Sequence, residues 1–203
     1  MKTSKIFALL FCLIFILGGC ASSPVNGGDK GYVKIFRKEK IDPCKVAVMP
    51  FKNEVKTDAN AGEKVANIVY SAFVSAGVDV VLPGEVNNLM VGRHFFPYQN
   101  IPDTFLLFLR NNMGVGLVVA GRVIEYKPYG GGSRYPEIKI WIEGISTKTG
   151  RRVFTGYIVH RGDDYRKILE FGVVKSVARL LFVSTDELVK KLQEAGIKCL
   201  EKR

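Results

Sequence analysis

The chain is poor in most of the residue types that build reactive centres. Two histidines in 203 residues, His94 and His160, leave no His-rich metal centre to assemble. Four cysteines are far too few for a disulfide-scaffolded domain, and none forms a Cys-x-x-Cys pair, so neither a redox motif nor a zinc site is indicated. There is a single tryptophan. No apolar run reaches the roughly 20 residues that a membrane-spanning helix needs. Acidic residues are also scarce, 19 against 30 Lys and Arg, which gives a formal net charge of +11. What remains, 47% apolar and 24% charged, is an ordinary globular composition for one domain.

The longest apolar stretch is at the start. Lys2 and Lys5 precede twelve uninterrupted apolar residues, Ile6 to Leu17, and then Leu17-Gly18-Gly19-Cys20. A basic n-region, a short h-region and small residues before a cleavage point make a secretory signal over residues 1–19. The last four residues resemble the bacterial lipoprotein box. That resemblance implies that Cys20 carries fatty acyl chains such as palmitate and becomes the mature N-terminus. Several chains on one Cys give stable attachment, at about 0.8 kcal/mol per buried methylene. Ala21, where an Asp would imply inner-membrane retention, implies the outer membrane with the domain facing the periplasm. Loss of residues 1–19 removes Lys2 and Lys5 and leaves 184 residues at +9. An exported basic protein meets lipid headgroups, an anionic envelope polymer or an acidic partner, and not nucleic acid.

Cys44 and Cys199 are left over. In an oxidising compartment they are either a disulfide or two unpaired thiols. The pair would close a loop of about 155 residues and contribute roughly 2–5 kcal/mol. Residues 20–31, Gly/Ser/Asn-rich after Cys20, read as a flexible tether, and eleven extended residues reach at most about 40 Å.

Residues 32–203 read as a single α/β domain, a mixed β-sheet packed against helices in the order β-α-β-α-α-β-β-β-α-α. Lys45 to Phe51 is a buried strand. Asn60 with Glu63 reads as a capping box opening a helix whose apolar stripe runs Ala61, Val65, Ile68, Val69, Ala72, Phe73 and Ala76, with Gly77 as its stop. A short strand, Val78 to Leu82, is followed by helical stretches at Glu85–Val91 and Thr104–Asn112. Three strands follow, Gly116–Tyr126, Glu137–Ser146 and Arg151–His160, the last two joined by a tight turn at Thr147–Gly150. In the middle strand Ile138, Ile140 and Ile142 alternate with Lys139, Trp141 and Glu143, so one face is buried. A helix is expected from Gly162-Asp163-Asp164 to about Phe182. Ser184-Thr185-Asp186-Glu187 then reads as a capping box opening a last helix that ends at Gly196.

Chemistry-bearing motifs are few. Gly114-Val115-Gly116 with Gly121 misplaces the third glycine of a dinucleotide fingerprint and precedes a strand. Gly130-Gly131-Gly132 suits a turn between antiparallel strands. Asp163-Asp164 suit the start of a helix, where the dipole favours carboxylates by about 0.3–1 kcal/mol each. No Gly-x-Ser-x-Gly or His-Glu-x-x-His motif occurs. No catalytic residue, metal site or cofactor is therefore expected, and the chain reads as non-enzymatic. Two loops stand out as candidate partner contacts because they mix aromatics with cations: Arg93, His94, Phe95, Phe96 and Tyr98 in the first, Tyr129, Arg134 and Tyr135 in the second.

Three segments carry a wider resemblance: Val46 to Asn53, Val118 to Val123, and Ser146 to Phe154. With the lipoprotein box they resemble a group of envelope lipoproteins related to the curli secretion channel subunit (CsgG), the Pel-polysaccharide export lipoprotein (PelC), the penicillin-binding-protein activator LpoB and the N-terminal domain of TolB. No pair of 9–11-residue strands is left over here for a self-made barrel, and the tether is too short to reach inner-membrane enzymes. Size and tether therefore point to the Pel export lipoprotein, a compact domain that assembles into a ring. That resemblance implies a homo-oligomeric accessory in export or assembly of an envelope polymer or appendage, the alternative being a monomeric lipoprotein that docks on another envelope protein. The ring presents an acidic surface to a cationic polymer, whereas this chain is basic.

Overall fold

The computed structural model describes residues 31–36, 41–96, 100–128, 134–167 and 170–197. The signal and lipidation residues, including Cys20, and also Tyr98, Tyr129, the triple glycine and Cys199, lie outside the described residues. Among those described, seven strands form one mixed sheet and four α-helices pack on it, as a single α/β domain.

The sheet order is β1-β7-β6-β5-β2-β4. The apolar run at Val46–Val48 makes β2, wholly buried and parallel to both β4 (Val80–Val81) and β5 (Leu117–Lys127). The chain bends at Pro50 and pairs again with β5 as β3 (Lys52–Asn53). β5, β6 (Glu137–Ser146) and β7 (Arg152–Arg161) form an antiparallel meander, and β1 (Tyr32–Ile35) adds to the outer edge of β7. The turn between β6 and β7 closes where expected, with Gly150 at φ 65° and its N–H donating to the Ser146 carbonyl at 2.9 Å.

Helix α1 (Ala61–Ser75) buries Val65, Val69, Ala72 and Phe73 of the expected stripe. It packs with α4 (Val177–Glu194) against one face of the sheet, where Val46, Val48, Ile138, Ile140, Ile142 and Phe154 complete the main core. On the opposite face α2 (Pro83–Gly92) and α3 (Asp103–Met113) close a second, smaller core with Ala47, Met49, Val81 and Val118. This second helical layer covers only the β2–β4 side. Among the described residues no helix packs on the other half of that sheet face.

Four sequence expectations are corrected. β1 and β3 are additional strands, so the order is β-β-β-α-β-α-α-β-β-β-α. Gly31 is not tether: a Cβ there would lie 2.4 Å from the Tyr157 carbonyl, so the residue already packs on β7. The Asn60 side chain makes no cap bond; instead Asp58 accepts the Asn60 N–H at 3.0 Å and pairs with Lys64 at 2.7 Å. Finally, Gly162–Tyr165 is a single 3-10 turn, and one uninterrupted helix runs through the Ser184-Thr185 segment, capped at Ser176. Ser184 and Thr185 spend their hydroxyls on the carbonyls of Leu180 and Leu181, at 2.8 and 2.9 Å, inside the core.

Candidate functional site

The alternation that buries Ile138, Ile140 and Ile142 must send Lys139, Trp141 and Glu143 to the other face of β6. Pairing register then lines up side chains from neighbouring strands. Arg122 of β5 lies opposite Trp141, Trp141 opposite Tyr157 of β7, and Tyr157 opposite Tyr32 of β1. One row across four strands thus reads Arg–Trp–Tyr–Tyr. Tyr32 meets Trp141 edge-on, with centroids 6.3 Å apart at 74°, and leans on Tyr157 at 6.1 Å. The Arg122 guanidinium lies 6.0 Å from the Trp141 ring centre. The next row holds Ala120, Glu143, Thr155 and Lys34. Tyr32 and Phe36 are 49% and 47% exposed and Trp141 and Tyr157 half-buried, so among the described residues this aromatic face has no helix over it.

Charges frame it. Glu125 pairs with Lys127 and with Lys139 at 2.7 Å, and those two cations hold its carboxyl below the ordinary range. Lys52 reaches Glu54 at 3.2 Å, Arg122 reaches the same carboxylate at 3.9 Å, and Arg152 pairs with Glu143. Where the open face meets the N-terminal end of α3 and the β6–β7 turn, a groove of about 1250 Å3 forms. Among the described residues its lining carries Lys52, Arg122, Arg151 and Arg152 against one carboxylate, Glu143, with Trp141 and Phe36 beside them.

Those of the residues singled out in the sequence that are described lie elsewhere and are not brought together. Arg93 stacks its guanidinium 3.7 Å over the Phe108 ring, and His94 adopts a left-handed φ of 53°. Phe95 is buried against Phe105 at 5.4 Å, whereas Phe96 is 43% exposed. Arg134 is exposed near Glu170 at 4.0 Å, and Tyr135 is buried, its hydroxyl accepting from Arg166. Phe95 and Tyr135 are therefore core residues, not surface contacts. Asp163 and Asp164 act structurally: the Asp164 carboxylate accepts the Arg161 N–H at 2.7 Å, and Asp163 lies 3.2 Å from the Arg161 guanidinium. His160 sits 3.5 Å from Asp164 and 4.0 Å from Glu187, over the Tyr165 ring. Burial pushes the Tyr165 hydroxyl up to about 12. Among the described residues no group of three His, Cys, Asp or Glu side chains is placed to hold a metal ion, and no helix is long and apolar enough to cross a membrane.

Sequence reasoning passed over the open-face row. The available signal was Trp141 itself, a large aromatic at a position whose alternation assigns it to the polar face of its strand.

No protein-family model and no curated protein sequence matches the chain. Solved structures do. The PelC dodecamer from Paraburkholderia phytofirmans superposes with a TM-score of 0.54 at 17% identity, over 85% of this chain and 99% of that one. A point variant of the same dodecamer gives 0.52 at 14% identity, with the same coverage. Lipoprotein GNA1162 from Neisseria meningitidis gives 0.49 at 16%, over 75% of this chain and 99% of that one. At such identities the likeness is one of architecture: this chain has the fold of the PelC subunit, over nearly the whole of that protein.

Proposed function

We propose that the protein is a non-catalytic, lipid-anchored outer-membrane component that assembles into a homo-oligomer and assists export or assembly of an envelope polymer. The observation that carries this reading is the shared fold with a protein solved as a dodecamer, over 99% of that protein's chain. The lipoprotein box ending at Cys20 supplies the anchor, and the short tether keeps the domain within about 35 Å of the bilayer. The uncovered aromatic face supplies a surface of the kind that assembly or cargo needs. The anchor leaves the signal segment, residues 1–19, to be removed, and the chain from Gly31 onward to fold as the periplasmic domain.

Two measurements test this. Cys20→Ser should move the protein from the membrane to the soluble fraction; continued membrane association refutes the anchor. Mass measurement in detergent should give a particle of several subunits at micromolar concentration. A monomer there would overturn the oligomeric reading and favour a lipoprotein that docks singly on another envelope protein.

A further inference from the structure

We propose that the groove beside Trp141 binds a segment of an acidic saccharide chain, with the indole as stacking platform and Arg122, Arg151 and Lys52 as partners for its carboxylates. The inference deepens the export reading by naming the chemistry of the polymer, and rests on that reading only for the polymer's place in the envelope.

Charge is the first support. Arg152 is neutralised by Glu143, and Glu54 is shared between Lys52 and Arg122. Adding Arg151, the lining and its immediate neighbours keep a positive balance. Cationic side chains around a groove attract carboxylates, and an Arg offers two parallel donors to each. Size is the second. About 1250 Å3 exceeds the roughly 300–1,000 Å3 of a small-molecule pocket and leaves room for several linked rings.

The third argument separates a saccharide from an acidic peptide. An extended peptide binds a sheet by adding a strand to a free edge. Here the floor is made by β5, β6 and β7, each flanked on both sides, with Ala120 paired to Glu143 and Glu143 to Thr155. These three strands offer a peptide no free edge, so recognition over them rests on side chains. A sugar ring asks for that combination: an aromatic plate for its C–H face and charged donors at its rim. Trp141 meets Tyr32 edge-on, and the Arg122 guanidinium lies over the indole, 6.0 Å from its centre. Ala120, a small residue on the same face, lines the groove beside the indole.

The test uses the full chain in detergent, titrated with hexagalacturonate, with uncharged maltohexaose and with polyglutamate of matched charge. Trp141 is the sole tryptophan, so its fluorescence reports on the groove directly. Hexagalacturonate should give a saturable change that weakens with salt. Arg122→Gln combined with Arg151→Gln should weaken binding about tenfold or more. By calorimetry Trp141→Ala should lose binding while Trp141→Tyr, which keeps a ring against Tyr32, retains it. No saturable response to hexagalacturonate, equal binding of polyglutamate or maltohexaose, or indifference to both the arginine and the tryptophan changes would each overturn the assignment. A double arginine variant that changes particle mass without changing saccharide binding would assign the groove to a second copy instead. Particle mass and saccharide binding are separate readouts, so the oligomeric reading and this one fail independently.

Discussion

His94 was singled out as a candidate partner contact, and its backbone gives it a conformational task. The N–H of Phe95 donates to the Met90 carbonyl at 2.9 Å and that of His94 to Val91 at 3.0 Å, a Schellman turn closing α2. Gly77 and Gly196 occupy the same place at the ends of α1 and α4, at φ 82° and 77°. Among the described residues His94 is the one non-glycine with positive φ, a conformation that costs an L-residue about 1–2 kcal/mol. Glycine's larger unfolded-state entropy offsets part of that. His94→Gly should therefore stabilise the domain by about 0.5–1 kcal/mol, read as a higher denaturation midpoint; a lower midpoint would mean that the imidazole makes a contact worth more than the strain. Charge at single residues has an equally definite sign. Lys127 and Lys139 depress the Glu125 carboxyl below its ordinary 4.5, so this pairing stabilises the fold fully above that value. The contribution is lost as pH falls through the depressed native value. Urea titrations across that acid range should show a shallower loss of stability in Glu125→Gln than in the parent.

At the level of elements, what was legible was whatever a local pattern determines. The stripe of α1, the period of β6 and the glycine at the β6–β7 turn each fix their own neighbourhood, and the structure agrees with all three. Ser184-Thr185-Asp186-Glu187 has the composition of a helix start, yet the same hydroxyls serve equally to bond carbonyls one turn back in a continuing helix. Tertiary packing decides between these: Leu180 and Leu181 on one side and Leu188 and Val189 on the other belong to one core, so the helix continues. Proline separates the two descriptions. At the first position of a new helix it would be tolerated; in the interior of α4, Thr185→Pro should cost about 3 kcal/mol or more and unfold the domain at temperatures the parent survives. The short strands β1 and β3 were illegible for a related reason. With four and two residues they carry no period of their own and exist because β7 and β5 present edges to them.

For the whole molecule the decisive fact is asymmetry: one face of the sheet is fully roofed by α1 and α4, the other only half by α2 and α3. The open-face row escaped the sequence because it depends on register among four strands, which no single segment encodes. The two chain ends matter at this scale as well. The bridge between Cys44 and Cys199 read from the sequence should make gel mobility differ with and without reductant. Two free thiols by alkylation would remove the bridge, whereas its presence should make reduction cost about 2–5 kcal/mol of stability. The position of β1 has a mechanical consequence. At Gly31 and Tyr32 the chain enters the sheet, pairing Tyr32 with Tyr157 and Ile35 with Phe154. Under the proposed anchor at Cys20, any pull between membrane and domain would be borne first by this four-residue ladder, and through β7 by the sheet itself. The tension then arrives at the strand carrying Tyr32, so a load on the anchor would be felt in the aromatic row before it reached any helix.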